Sequence, residues 1–144
     1  DAAGTLDVGW RLAGPFEAIR LRTERHAAGT GRVPRVLLLE RGDLRMRKAR
    51  AAFCLSFFGC AGFNIAQSET LSDADLVVLC GADADYPDLA RAIVPQVRVP
   101  VIVAGLPKDQ VDALTAAGIA GFVHVRSNAV ATLREWQDRL GIAR

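Results

Sequence analysis

The sequence predicts a doubly wound α/β domain with a five-stranded parallel sheet, preceded by a short helical connector. Three observations carry this reading. Five short apolar runs recur along the chain, at 35–39, 63–67, 75–80, 100–105 and 121–125. They alternate with stretches of helical length and spacing, the arrangement that builds parallel sheets through crossovers. The third to fifth runs are continuous in Val, Ile and Leu, as expected for strands covered on both faces. A length of 144 residues with 51% hydrophobic side chains is enough for one real core.

Taken in order, "WRLAGPFEAIRLRTERHAA" (10–28) reads as the helical connector. Gly14-Pro15 suits a helix start, and Glu17 lies near its favourable end. Phe16, Ile19 and Thr23 form a thin inward stripe, while Arg20, Arg22, Glu24 and Arg25 are expected to stay in water. The small-residue linker "AAGTGRVP" ends at Pro34, which divides a connector (1–33) from the domain proper (34–144). "RVLLL" is the first strand. A helix over 44–62 follows, with Leu44, Ala49, Ala52, Phe53 and Phe57 at helical spacing and Gly59 and Gly62 at its end. "FNIAQ" is a weaker strand and "DLVVLC" a strong one. Helices over 86–97 and 108–118 flank the strand "PVIVAG", and Gly118 stops the second of them. "GFVHV" is the fifth strand, and the last helix (127–141) has Ser127 as its expected N-cap.

Composition excludes several classes. The net charge is only +2, so no global field points to nucleic acid or an anionic membrane. Cys54, Cys60 and Cys80 form no Cys-x-x-Cys pair and read as buried thiols of a reducing, cytoplasmic setting. The longest apolar run, 51–63, is shorter than the roughly 18 residues a membrane span needs. The first ten residues lack the basic and apolar regions of a signal peptide. The chain starts without methionine, which suggests a piece of something longer.

Five strands of this kind favour the flavodoxin-like order 2-1-3-4-5. Ligands then sit beyond the carboxyl ends of the strands, in the loops at 40–46, 80–86, 104–108 and 124–128. A phosphoreceiver of this architecture needs an Asp after strand 3, a hydroxyl after strand 4 and a Lys after strand 5. The sequence has Cys80-Gly81, Ala104-Gly105 and His124-Val125 there, so no carboxylate nucleophile is available. Asp83 and Asp85 read as complements to a helix dipole. "GTG" (29–31) precedes strand 1, at the wrong end for a dinucleotide, and no phosphate-binding loop is present. His26 is expected in water and His124 in a hydrogen-bonded strand position, neither with partners at metal-ligand spacing. Met46, alone on a first helical turn, reads as packing.

The first crossover concentrates Arg45, Arg47, Lys48 and Arg50 at a helix start, against the helix dipole. Three arrangements explain such a cluster: side chains fanned into water, carboxylates of a partner chain, or a bound anion such as phosphate.

"RLAGPFEAIRLR" (11–22), followed after the linker by "PRVLLLERGDLRMRKARAAFCLSFFGCAGF" (34–63), resembles the C-terminal part of methylmalonyl-CoA mutases. Arg11, Pro15, Phe16, Glu17, Arg20 and Arg22 resemble the connector leaving that family's catalytic barrel. Residues 35–144 resemble its cobalamin-binding domain. Active members carry Asp-x-His-x-x-Gly after strand 1: imidazole ligates cobalt, aspartate orients it, and glycine admits the corrin. Aligned on Gly42, those positions hold Leu44, Met46 and Ala49. Cys80, Gly81 and Ala82 stand in place of a serine-rich loop, and Ala104-Gly105 resemble the small-residue loop after strand 4, a vestige of the pocket.

The pattern, including "KARAAF" (48–53), resembles the small, non-catalytic subunit of heterodimeric mutases. The resemblance implies a domain for structure and subunit contact, with no catalytic residue, no metal and no cofactor of its own. Adenosylcobalamin and the isomerisation would belong to a large catalytic partner subunit. Two rivals stand beside it: a cobalamin carrier that holds the cofactor base-on or through another residue such as His124, and a regulatory module taking an anionic ligand or acidic protein through Arg45, Arg47, Lys48 and Arg50.

Overall fold

The structure, a computed structural model, describes residues 2–143, with side chains from Gly14 onward; Arg11 falls outside the described side chains. Five parallel strands, β1 (Arg35–Glu40), β2 (Asn64–Ser68), β3 (Leu76–Cys80), β4 (Val101–Ala104) and β5 (Phe122–Val123), pair in the order β2-β1-β3-β4-β5. This is the flavodoxin-like arrangement. β1 sits between β2 and β3, with Leu38 opposite Gln67 on one side and Val78 on the other.

The alternation of side chains along each strand divides the interior into two cores. Val36, Leu38, Val78, Ile102 and Val123 face one core with α2 (Leu44–Gly59) and α5 (Ala129–Arg139). Leu37, Leu39, Val77, Leu79 and Val103 face the other, with α3 (Tyr86–Ile93) and α4 (Val111–Ala116). A fully buried Val or Leu contributes about 1.5–3 kcal/mol over an exposed one, so these runs hold the sheet together.

Several expectations are corrected. α1 spans Ala2–Thr30 with Pro15 inside it, so Gly14-Pro15 does not start the helix. A proline removes only one intrahelical bond and kinks the helix at a cost that docking elsewhere offsets. Arg22 is not solvated: its guanidinium donates to Gln137 Oε1, to Asp138 Oδ1 and to the Ile142 carbonyl, at 3.2, 2.8 and 2.7 Å. The inward stripe of Ile19 and Thr23 is buried, with Phe16 packed against the same core.

α2 ends at Gly59, one of the two expected glycines, and of its expected inward face Phe57 is buried and Phe53 packs against the core. Ala51, Cys54, Phe57 and Phe58 are buried, whereas Leu44, Ala49 and Ala52 are exposed. Cys60 is exposed, unlike Cys54 and Cys80. The helix predicted over 86–97 is split, ending at Ile93 with a 3-10 turn over Val94–Gln96. β5 has two residues in place of five. Asn128 caps α5, its side chain accepting from the Ala131 N–H at 3.0 Å. Ser127 instead accepts from the His124 N–H at 3.1 Å, closing the turn before the helix.

Candidate functional site

The carboxyl ends of β1, β3 and β4 meet at the cleft where this fold takes ligands. Three loops enclose it. Gly42, in the left-handed region with φ of 85°, turns the chain out of β1. A Cβ there would lie 2.1 Å from the Asp85 carboxylate, so only glycine permits this approach. Asp43 then caps α2 by accepting from the Met46 N–H at 2.9 Å.

Asp85 ties the first loop to the second. Its Oδ2 accepts from the Asp43 N–H at 3.1 Å and from the Ala82 N–H at 2.9 Å. The Arg41 N–H reaches the Cys80 carbonyl at 3.1 Å, and a Cβ on Gly81 would meet the Arg41 carbonyl at 2.6 Å. Asp85 therefore does more than complement a dipole.

Arg50 fills the space between the second and third loops. One guanidinium nitrogen lies 2.8 Å from the Gly81 carbonyl, 3.1 Å from the Tyr86 hydroxyl and 2.8 Å from Asp83 Oδ1. The guanidinium carbon stands 5.5 Å from the Tyr86 ring centroid, a cation–π contact. A Cβ on Gly105 would lie 2.9 Å from that same carbon. Burial opposes the Arg50 charge, but Tyr86 and the Asp83 carboxylate outweigh it and hold the pKa above the usual arginine value.

Tyr86 completes the closure. Fully buried, its hydroxyl has the carbonyls of Gly81 and Ala104 both within reach of its single proton and accepts from the Gly81 N–H at 3.2 Å. One phenol thus fastens the end of β3 to the end of β4. Burial pushes its pKa up to about 12, against the lowering influence of the Gly81 bond and Arg50.

The basic cluster does not act as a unit. Arg50 and Arg47 spend their charge internally, the latter on Glu69 at 3.1 Å, whose backbone carbonyl also takes Arg41 Nε at 2.6 Å. Arg45 and Lys48 are exposed and without an ion pair among the described residues. Leu44 is 54% exposed, Met46 half-buried and Ala49 exposed, so no imidazole or carboxylate stands at these three positions.

Cys80, Gly81, Ala104 and Gly105 are all buried at the cleft floor. The hydrogen bond with Cys54, and burial, push the Cys80 thiol up and leave it inert. Among the described residues no group of three or more His, Cys, Asp or Glu side chains is arranged to hold a metal.

What remains open is a cavity of about 220 Å³ beside Arg50, lined by Ala49, Phe53, Gly105 and His124 among others. His124 Nδ1 accepts from the Arg126 N–H at 3.2 Å. That contact occupies Nδ1 and holds the ring against the turn that follows β5. His26 is half-buried, its Nδ1 accepting from the Ala143 N–H at 3.3 Å.

Sequence reasoning missed Tyr86 and the roles of Asp83 and Asp85. The partners lie 31 to 42 positions apart, too far for any spacing pattern to join them. The one available signal was a chain with a single tyrosine, set directly after an acidic turn at a strand exit.

No protein-family profile matches the chain. It is 39% identical over 92% of its length to the methylmalonyl-CoA mutase small subunit of Porphyromonas gingivalis, covering 23% of that protein. It is 33% identical over 91% of its length to a probable methylmalonyl-CoA mutase small subunit of Mycobacterium tuberculosis, and 26% identical to the small subunit from Streptomyces virginiae. The chain thus spans about a quarter of the length of the curated relatives it matches. Among solved structures, an orphan response regulator of H. pylori superposes with a TM-score of 0.54 at 17% identity, over 74% of this chain and 96% of that one. That likeness shows the fold alone. No helix among the described residues is long and apolar enough to cross a membrane.

Proposed function

We propose that this chain, a homologue of methylmalonyl-CoA mutase small subunits, is the C-terminal domain of such a subunit and holds no corrinoid itself. Its role is structural and in subunit contact. Adenosylcobalamin and the isomerisation belong to a large catalytic chain with which it forms a heterodimer, so the protein is part of an enzyme only at the level of the complex. We place it in the cytoplasm, a reading motivated by three cysteines with no Cys-x-x-Cys pair.

The observation that carries this reading is the Arg50 guanidinium packed among Gly81, Asp83, Tyr86 and Gly105, in the cleft where this fold takes a ligand. The residues do not fit a corrinoid. Leu44 and Met46 offer cobalt no nitrogen, Ala49 adds a methyl where glycine would admit the ring, and Cys80, Gly81 and Ala82 bring no hydroxyl to the loop after β3. The rival with a specific observation behind it is attachment through His124, which lines the remaining cavity. Arg50 packed beside the same cavity stands against that.

Titration of the purified chain with adenosylcobalamin, followed by its visible spectrum and by retention on gel filtration, is the test. The expected result is an unchanged spectrum and no retained corrinoid. Stoichiometric retention would overturn the proposal, and its loss in His124→Ala would install the rival.

A further inference from the structure

A groove lies away from the cleft, between α1 and α5. It encloses about 480 Å³ and has an apolar floor of Ala18, Ile19 and Ala143. Arg22, Arg25 and Arg134 stand around it. Arg25 and Arg134 are exposed and have no carboxylate among the described residues. The carboxylate nearest in the bonding pattern, Asp138, is taken by the terminal nitrogen of Arg22 at 2.8 Å. Arg22 Nε, by contrast, is buried with no acceptor among the described residues.

A buried N–H without a partner is costly, and native proteins leave few of them. Together with two unpaired guanidinium groups, it marks a place lacking an oxyanion. The volume and the apolar floor exceed what a lone inorganic anion requires. They suit a side chain that brings a carboxylate on a hydrocarbon stem, followed by apolar neighbours.

We infer that this groove docks an acidic segment of the larger mutase chain, one carboxylate of which lies between Arg25 and Arg134, beside the Arg22 guanidinium. This rests on the subunit reading above, since that reading supplies the partner. Arginine presents planar donors to carboxylates and remains charged at an interface, which explains three of them at one groove. The location also gives the long α1 a function: its inward stripe docks on α5, and its arginines beside that seam meet the partner.

The test is co-purification and a dissociation constant, measured by sedimentation or surface plasmon resonance, between the large chain of the same organism and the native chain carrying this sequence. Arg25→Glu/Arg134→Glu is expected to weaken the complex at least tenfold, roughly the effect of setting like charges across a docked contact. Arg98→Glu/Arg126→Glu, an equal charge change at exposed positions elsewhere, is expected to leave it within about twofold. The neutral pair Arg25→Gln/Arg134→Gln, a milder change on exposed positions, is expected to weaken it severalfold while keeping the helical circular dichroism. Wild-type affinity in both groove variants would overturn the docking inference and leave the subunit reading standing. Failure of the wild-type chain to bind the large chain would overturn the subunit reading itself.

Discussion

At the scale of single residues, the cleft is governed by one arginine and one phenol. Arg50→Ala removes contacts to Gly81, Tyr86 and Asp83 and enlarges the adjoining cavity. Loss of a charged hydrogen-bonding group from a partly buried site costs about 1.5–3 kcal/mol, which urea denaturation reads directly. Tyr86 admits a sharper measurement because it is the sole tyrosine of the chain. Its folded pKa of about 12 lies above the ordinary value of 10. Between these two values the unfolded chain has released the phenol proton and the native chain retains it. The native state then binds more protons, so stability falls as pH rises from 10 to 12 and is unaffected by this group below 10. Tyrosinate absorbance near 295 nm is expected to titrate about two units higher in the native protein than in urea. Coincident titrations would show that the hydroxyl is not held as described. Tyr86→Phe should abolish this part of the alkaline instability.

At the scale of elements, the strands were legible and the helix faces were not. "VLLL" and "LVVLC" can only be covered on both sides, so periodicity was sufficient for β1 and β3. α2 misled because Leu44 and Ala49 lie on its exposed side, while Cys54 and Phe58, one step out of the assumed phase, face the core. Ser127 and Asn128 both suit an N-cap, and only the turn geometry decides that Asn128 takes the role. The candidate site was half legible: the sequence directed attention to the loop holding Leu44, Met46 and Ala49, but not to the closure by Arg50, Asp83 and Tyr86. The seam between α1 and α5 was invisible because it rests on Gln137, a residue type expected at the surface. Gln137 is fully buried, and its amide donates to the Ile19 carbonyl at 2.7 Å and to Thr23 Oγ1 at 3.0 Å while accepting from Arg22. Gln137→Leu preserves much of the volume but strands these groups, at about 1–3 kcal/mol. The consequence is local. Trypsin is expected to cut after Arg20, Arg22 or Arg25 faster in the variant, before the sheet unfolds. Equal rates would show that α1 is held elsewhere. Asn128→Ala should cost about 1 kcal/mol through the lost cap.

At the scale of the whole molecule, the same frame that seats ligands in other proteins is here braced by its own side chains. Gly42, Gly81 and Gly105, which lie where backbone comes close to a ligand in such folds, instead admit Asp85, Arg41 and Arg50. A closed cleft has a thermodynamic signature. A ligand that binds only the folded state at one hundred times its dissociation constant adds about 2.7 kcal/mol of stability. At about 2–4 °C per kcal/mol for a domain of this size, that is a rise in Tm of roughly 5–10 °C. Excess adenosylcobalamin is expected to leave the Tm of the wild-type chain unchanged. Installing Asp-x-His-x-x-Gly alone, as Leu44→Asp/Met46→His/Ala49→Gly, should also leave it unresponsive to the cofactor, because Arg50 still occupies the cleft between the β3 and β4 loops. Adding Arg50→Gly to those three substitutions removes the obstruction, and only that variant is expected to gain Tm with the cofactor. A cofactor-dependent rise in the triple variant would mean that the missing imidazole was the whole barrier, and that the internal brace has no part in excluding the ligand.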